Sequence, residues 1–229
     1  MSESQKPTTW LSRCLSIFNF FTTGNLVLAL RNVLDLWELM DQLRDKIGYH
    51  GMFEILEYQA TLEIMDPNGE EAVLTRQEVI RFLQDNVVAI YDVAWGDGEI
   101  LADYQCQPGV PVDFYQDGSK YKILISLRET KNRGDVETFS RERSIKGGFL
   151  SKDEWLETEI DHWTEHLKLS IIFPHERLCQ RATVTRRSTN ETITLDRQHF
   201  STLSDGRQIL TWQTSRPKLH DLYTIKWHW

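Results

Sequence analysis

The hydrophobic pattern of this chain changes period once, near Gly48. Before that point apolar residues recur at helical spacing. Leu26, Leu30, Val33, Trp37 and Met40 follow one another at steps of four, three, four and three, which places them on one stripe. Leu36, Leu39 and Leu43 widen the stripe, and Arg31, Asp35, Glu38, Asp41, Asp45 and Lys46 form a polar remainder. Asn25 suits an N-cap and Gly48 a C-cap, so the pattern predicts a helix over 25–47. The stripe is broader than a coiled-coil seam, and some surface has to cover it.

After Gly48 the period is two. Residues 53–65 and 71–83 read as a long hairpin about Asp66-Pro67-Asn68-Gly69, a run of turn formers. Further strands are expected over 87–95, 100–106, 120–129 and 136–145, and 155–160 with 166–173 read as the next pair. A hairpin over 182–195 turns about Ser188-Thr189-Asn190, and strands over 208–214 and 222–229 follow. The alternation is clearest where Tyr121, Ile123, Ile125 and Leu127 share a face, and again for Tyr223, Ile225, Trp227 and Trp229. Pro108, Gly109 and Pro111 mark a break, because none suits a central strand. Many short strands joined by turns predict a mainly β chain: an antiparallel β-sandwich, in one sheet pair or two lobes, behind an N-terminal helical segment. The domains expected are 1–48 and 49–229, with a lobe boundary near 147–154.

Composition agrees with a packed body. Of 229 residues 40% are hydrophobic and 26% charged, and eight Trp, seven Tyr and ten Phe suit half-buried sheet surfaces. The net charge of −8 argues against a general grip on nucleic acid, since each phosphate contact needs a cation. Cys14, Cys106 and Cys179 are odd in number and far apart, which fits reduced thiols in a cytoplasmic protein better than a disulfide framework. The most apolar stretch, residues 10–30, is interrupted by Asn19, Thr22, Thr23, Gly24 and Asn25. It therefore reads neither as a signal peptide nor as a span of ~20 apolar residues. A membrane-surface role ranks last among the uses of this segment.

Three constellations carry candidate chemistry. His162-Trp163-Thr164-Glu165-His166 resembles the inverted zinc-peptidase signature H-x-x-E-H, which needs both histidines on one helical face. Here the string lies in extended sequence, where the two rings would stand ~13 Å apart, so no metal is assigned. Asp92, Asp97, Glu99 and Asp103 surround a glycine turn but lack the calcium-loop spacing, so they read as turn residues. Between Lys120 and Lys146 eight basic residues outnumber four acidic ones, and pairing of the two strands there would gather Arg128, Lys131, Arg133, Arg141 and Arg143 into a basic rim. That rim is the candidate for an anion or nucleic acid, against the plainer reading of a solvated face with Arg–Glu cross-strand pairs.

The chain has no G-x-S-x-G elbow, P-loop or G-x-G-x-x-G, and no catalytic residue, cofactor or metal ligand is assigned. The expectation is a non-enzymatic interaction, regulatory or scaffold module. It binds a protein partner or a second copy of itself through Leu26, Leu30, Val33, Trp37 and Met40. A nucleic-acid or nucleotide binder using 120–146 is the first alternative, and an enzyme or its regulatory subunit with a spatially assembled site is the second.

Overall fold

The computed structural model describes residues 51–229. The helix expected over 25–47, with its stripe of Leu26, Leu30, Val33, Trp37 and Met40, lies outside the described residues.

Period-two patterning becomes strand almost everywhere it occurs. In chain order the strands are β1 (Phe53–Ile64), β2 (Glu71–Phe82), β3 (Val87–Ala94), β4 (Glu99–Gln107), β5 (Val110–Asp117), β6 (Lys120–Lys131) and β7 (Val136–Lys146). They continue with β8 (Asp153–Glu159), β9 (Thr164–Ile172), β10 (Arg181–Arg186), β11 (Glu191–Leu195), β12 (Phe200–Thr202), β13 (Gln208–Ser215) and β14 (Leu222–His228). Three sheets result: β12-β13-β9-β1-β2-β7-β4, β11-β10-β14-β8 and β3-β6-β5. Residues 51–229 form one compact unit. Among the described residues no helix is long and apolar enough to cross a membrane.

Both smaller sheets send side chains onto one face of the seven-stranded sheet. Phe173, just past β9, meets Trp227 of β14 at 6.0 Å between ring centroids, and Trp212 of β13 meets Tyr223 of β14 at 5.6 Å. Toward the other edge of that face, Tyr104 of β4 donates to Asp92 of β3 at 2.7 Å. Trp95, just past β3, donates to Glu157 of β8 at 3.2 Å, and Lys120 of β6 pairs with Glu159 of β8, so the two smaller sheets also meet along that line. The alternating faces are where the core forms. Ile123, Ile125 and Leu127 on β6, Leu167, Leu169 and Ile171 on β9, and Tyr223, Ile225 and Trp227 on β14 are all buried.

Four local expectations change. The 155–160 and 166–173 strands are not partners: β8 pairs with β14, while β9 lies between β13 and β1. β9 runs parallel to β1, so the largest sheet is mixed. The 120–129 and 136–145 strands also do not pair, because β6 belongs to the three-stranded sheet and β7 lies between β2 and β4. Neighbours in sequence cross between sheets because each sheet needs an apolar face opposite its own, a need that sequential pairing alone does not meet. Finally, the break expected at Pro108, Gly109 and Pro111 is followed at once by a further strand, Val110–Asp117, for which the alternation gave no separate expectation. Pro111 is tolerated there because β5 is an edge.

The β1–β2 turn shows how closely a loop is held. Asp66 accepts backbone N–H groups of Asn68 at 2.8 Å and Glu71 at 2.7 Å. Burial raises the Asp66 carboxyl, and the backbone donors together outweigh it and hold it below its ordinary value. Gly69 has φ +77°, and a Cβ there would stand 1.8 Å from the Phe149 carbonyl oxygen. We expect Gly69→Ala to cost more than the ~1–2 kcal/mol of a left-handed backbone alone. Gly118, at φ +62° with open space around it, should stay within that cost. Urea denaturation of both variants measures the difference, and equal losses would contradict the Phe149 contact.

Candidate functional site

Strands β2 and β7 each carry charge in phase with their apolar faces. On β2 the inward row is Ala72, Leu74, Arg76, Glu78, Ile80 and Phe82, and on β7 it is Phe139, Arg141, Arg143 and Ile145. Register places Arg76 opposite Arg141 and Leu74 opposite Arg143. Tyr104 of β4 stands opposite Arg143, and Tyr58 of β1 opposite Glu78. Asp92 reaches in from β3, where it is in phase with the buried Ile90 and Ala94. Sheet pairing and layer contact therefore bring three guanidinium groups, two carboxylates and two phenols together inside the body.

Glu78, Asp92 and Arg141 are 4%, 7% and 5% exposed, so their charges depend on one another. Arg76 Nη2 pairs with Asp92 Oδ1, and Arg141 Nη1 pairs with Glu78 Oε2. Asp92 also accepts the Val93 backbone N–H at 2.7 Å and the Tyr104 hydroxyl at 2.7 Å. Burial opposes ionisation of Asp92. The Arg76 and Arg141 charges, with the hydrogen bonds from Arg76 and Tyr104, outweigh it and hold the carboxyl well below the usual range. Burial and then the Asp92 charge push the Tyr104 hydroxyl far above its ordinary value, so it remains a donor. For Arg143 the balance differs: burial draws its pKa below the usual arginine value, and the Asp92 charge opposes that only in part.

Donor capacity is left over. Arg141 Nε and Nη2, and Arg143 Nε and Nη1, are buried without a hydrogen-bond partner among the described residues. Arg76 Nε lies 3.3 Å from Glu78 Oε1, at ion-pair distance but without hydrogen-bonding geometry. These groups border a cavity of about 20 Å³ walled by Arg76, Asp92, Tyr104, Arg141 and Arg143. Leu74 and Arg143 also border a second cavity of about 40 Å³, which extends to Trp95, Trp155 and Phe149. The arrangement is suited to receiving negative charge. It is poorly suited to proton transfer near neutrality, since Asp92 stays ionised and Tyr104 stays protonated.

The residues of the expected basic rim are divided. Arg141 and Arg143 turn inward, as described. Arg128 is exposed with φ 62°, Lys131 pairs with Glu129 and Glu137, and Arg133 is exposed in the turn, its backbone N–H donating to Asp85 at 2.9 Å. Of the acidic group, Asp92 is buried in the cluster while Asp97, Glu99 and Asp103 are exposed. The histidines separate too. His162 stacks on Phe53 at 4.1 Å between centroids, and burial lowers its pKa. His166 is exposed on β9, 3.3 Å from Ser215 Oγ. Cys106 and Cys179 are buried free thiols, and burial pushes Cys179 up to about 11.

A second surface is apolar. Tyr91 and Leu124 pair across β3 and β6 on the outer face of the three-stranded sheet, and Tyr115 lies on the same face of β5. Tyr91 and Tyr115 are 55% and 43% exposed, and Val88 and Val112, at the sheet's two bulges, are as open. Phe114, on the other face of β5, meets Tyr104 at 5.9 Å. Among the described residues β5 pairs with β6 alone, so its outer backbone edge is unpaired.

Arg76, Glu78, Tyr104 and the pairing role of Asp92 were missed in the sequence. Their signal is phase: each charge occupies a position where the alternation requires a buried side chain. No protein-family model matches this chain, and no curated protein matches it significantly.

Because the folded-state pKa of Asp92 is depressed, its contribution to stability is complete above the unfolded value of ~3.9 and is lost as pH falls below it. Asp221 adds to the same slope. Burial opposes its ionisation, but Ser188 and Arg186 hold it down to about 2. We expect Asp92→Asn to cost ~3–5 kcal/mol at neutral pH, as for breaking a buried pair. Urea unfolding between about pH 5 and 2 should show a shallower acid loss in that variant than in the parent. Parallel curves would mean that Asp92 is not the ion pair described.

Proposed function

We propose that this chain is a non-enzymatic interaction or scaffold module: a cytoplasmic β-sandwich that self-associates, with the amphipathic N-terminal helix as its principal contact. The observation that supports the reading most directly is the outer face of β3-β6-β5. Tyr91 and Tyr115 are exposed there beside an unpaired strand edge. Monomeric proteins usually blunt such an edge, and aromatic side chains are the residues interfaces favour. A second copy is the partner of choice because an antiparallel edge is its own complement about a two-fold axis. The stripe of Leu26, Leu30, Val33, Trp37 and Met40 adds apolar area that likewise calls for a cover. The 120–146 segment gives less support to nucleic acid, since Arg141 and Arg143 point inward and Lys131 is tied to two glutamates.

Native mass spectrometry tests this. The full-length chain should run as a multiple of 26.9 kDa. Removal of residues 1–47 should lower that mass while the sheet signal in circular dichroism persists, because the described unit has a core of its own. Tyr91→Lys combined with Tyr115→Lys should weaken association roughly tenfold, about 1.4 kcal/mol. A full-length monomer at micromolar concentration would overturn the proposal.

A further inference from the structure

The buried cluster between β2, β7, β4 and β3 is one charge short of neutral. Arg76, Arg141 and Arg143 bring three positive charges, and Asp92 and Glu78 bring two negative ones. Tyr104 donates to Asp92 and contributes no charge. Glu142 also borders the cavity, but its side chain alternates to the exposed face of β7. Glu154 and Glu157 border the neighbouring cavity with Arg143, and neither forms an ion pair with it among the described residues. Glu157 is instead used by Trp95 and Thr224, and Glu154 by the Ser151 backbone N–H.

A buried surplus cation with unmet donors is costly, and an internal counter-ion relieves both penalties together. Arg141 has a side chain 5% exposed, and its Nε and Nη2 are unpartnered at the cavity wall; Arg143 adds Nε and Nη1. The cavity of about 20 Å³ holds about one water-sized particle. We infer that this cavity is a binding site for a single monovalent anion of halide size, held between the guanidinium groups of Arg141 and Arg143. A tetrahedral oxyanion such as sulfate exceeds the space, and its second charge would leave the cluster negative. A water molecule would meet some of the donors and leave the surplus charge unbalanced.

The site predicts a selective response to ions. Thermal and urea midpoints should rise with sodium bromide or chloride relative to sodium gluconate at equal ionic strength, because gluconate is too large to enter. The rise should set in near the dissociation constant and then grow with the logarithm of halide concentration, as binding to the folded state alone requires. Chlorine NMR linewidths should broaden in the presence of protein and narrow when bromide competes. Arg143→Met keeps an unbranched apolar stem and removes the surplus charge. It should fold, lose the halide-specific rise and the broadening, and be less dependent on halide than the parent. Leu74→Phe, which fills the cavity wall and keeps every charge, should weaken halide binding roughly tenfold while retaining the cluster. Equal stabilisation by bromide and gluconate would overturn the inference. So would a halide effect unchanged in Arg143→Met, or an anomalous difference map from a bromide-soaked crystal that shows water alone between Arg141 and Arg143.

Discussion

Two arginines placed opposite each other on neighbouring strands repel unless carboxylates come between them. Arg76 and Arg141 are such a pair: Arg141 is buried, and the Arg76 side chain is 17% exposed. Glu78 supplies one carboxylate from within β2 itself. The other, Asp92, comes from a different sheet. The seven-stranded sheet is thus electrostatically incomplete until β3 lies over it, and the three-stranded sheet has to bring Asp92, and not a neighbour, to that point. A slip of β3 by one residue would turn Asp92 outward and put Tyr91 or Val93 against two unpaired guanidinium groups. Apolar burial drives the layers together without direction, whereas this ion pair selects a register.

The same cluster explains why the body needs contacts elsewhere. Ion pairs in an interior are weak sources of net stability, because desolvation consumes most of their attraction. The apolar rows therefore have to supply it. Phe82, Phe139, Phe173 and the isoleucines of β2, β3 and β6 are fully or almost fully buried around the charges. At the other end, Phe173, Trp227 and Trp229 form an aromatic knot, and Arg177 lies 3.7 Å over the Trp229 ring. Asp221 ties β10 to the start of β14 by accepting from Arg186, Ser188 and Leu222.

The outer face of the three-stranded sheet is the counterpart of this interior. A sheet of three strands has two edges for one buried face, and β5 leaves its backbone groups and several large apolar side chains in contact with water. Interior charge sets how that sheet docks on the body, and its unpaired edge is the place where the body can be extended.

Residue alternation alone determined that residues 53–229 are mainly strand, and it identified buried faces such as Ile123-Ile125-Leu127 and Tyr223-Ile225-Trp227 correctly. Such faces are local, because successive side chains point to opposite sides of a strand whatever lies beside it. Partnership was decided by tertiary structure. Strand sequence does not show that β9 runs parallel to β1, or that β6 and β7 belong to different sheets, since an apolar face fits several apolar neighbours equally well. The fate of the basic residues turned on that choice. Arg141 and Arg143 look like Arg128 and Arg133 in composition, and differ in lying in phase with Phe139 and Ile145. Phase could announce that they are buried. Which carboxylate meets them could be decided only by the layer that carries Asp92, because an ion pair between strands distant in sequence depends on register and packing together.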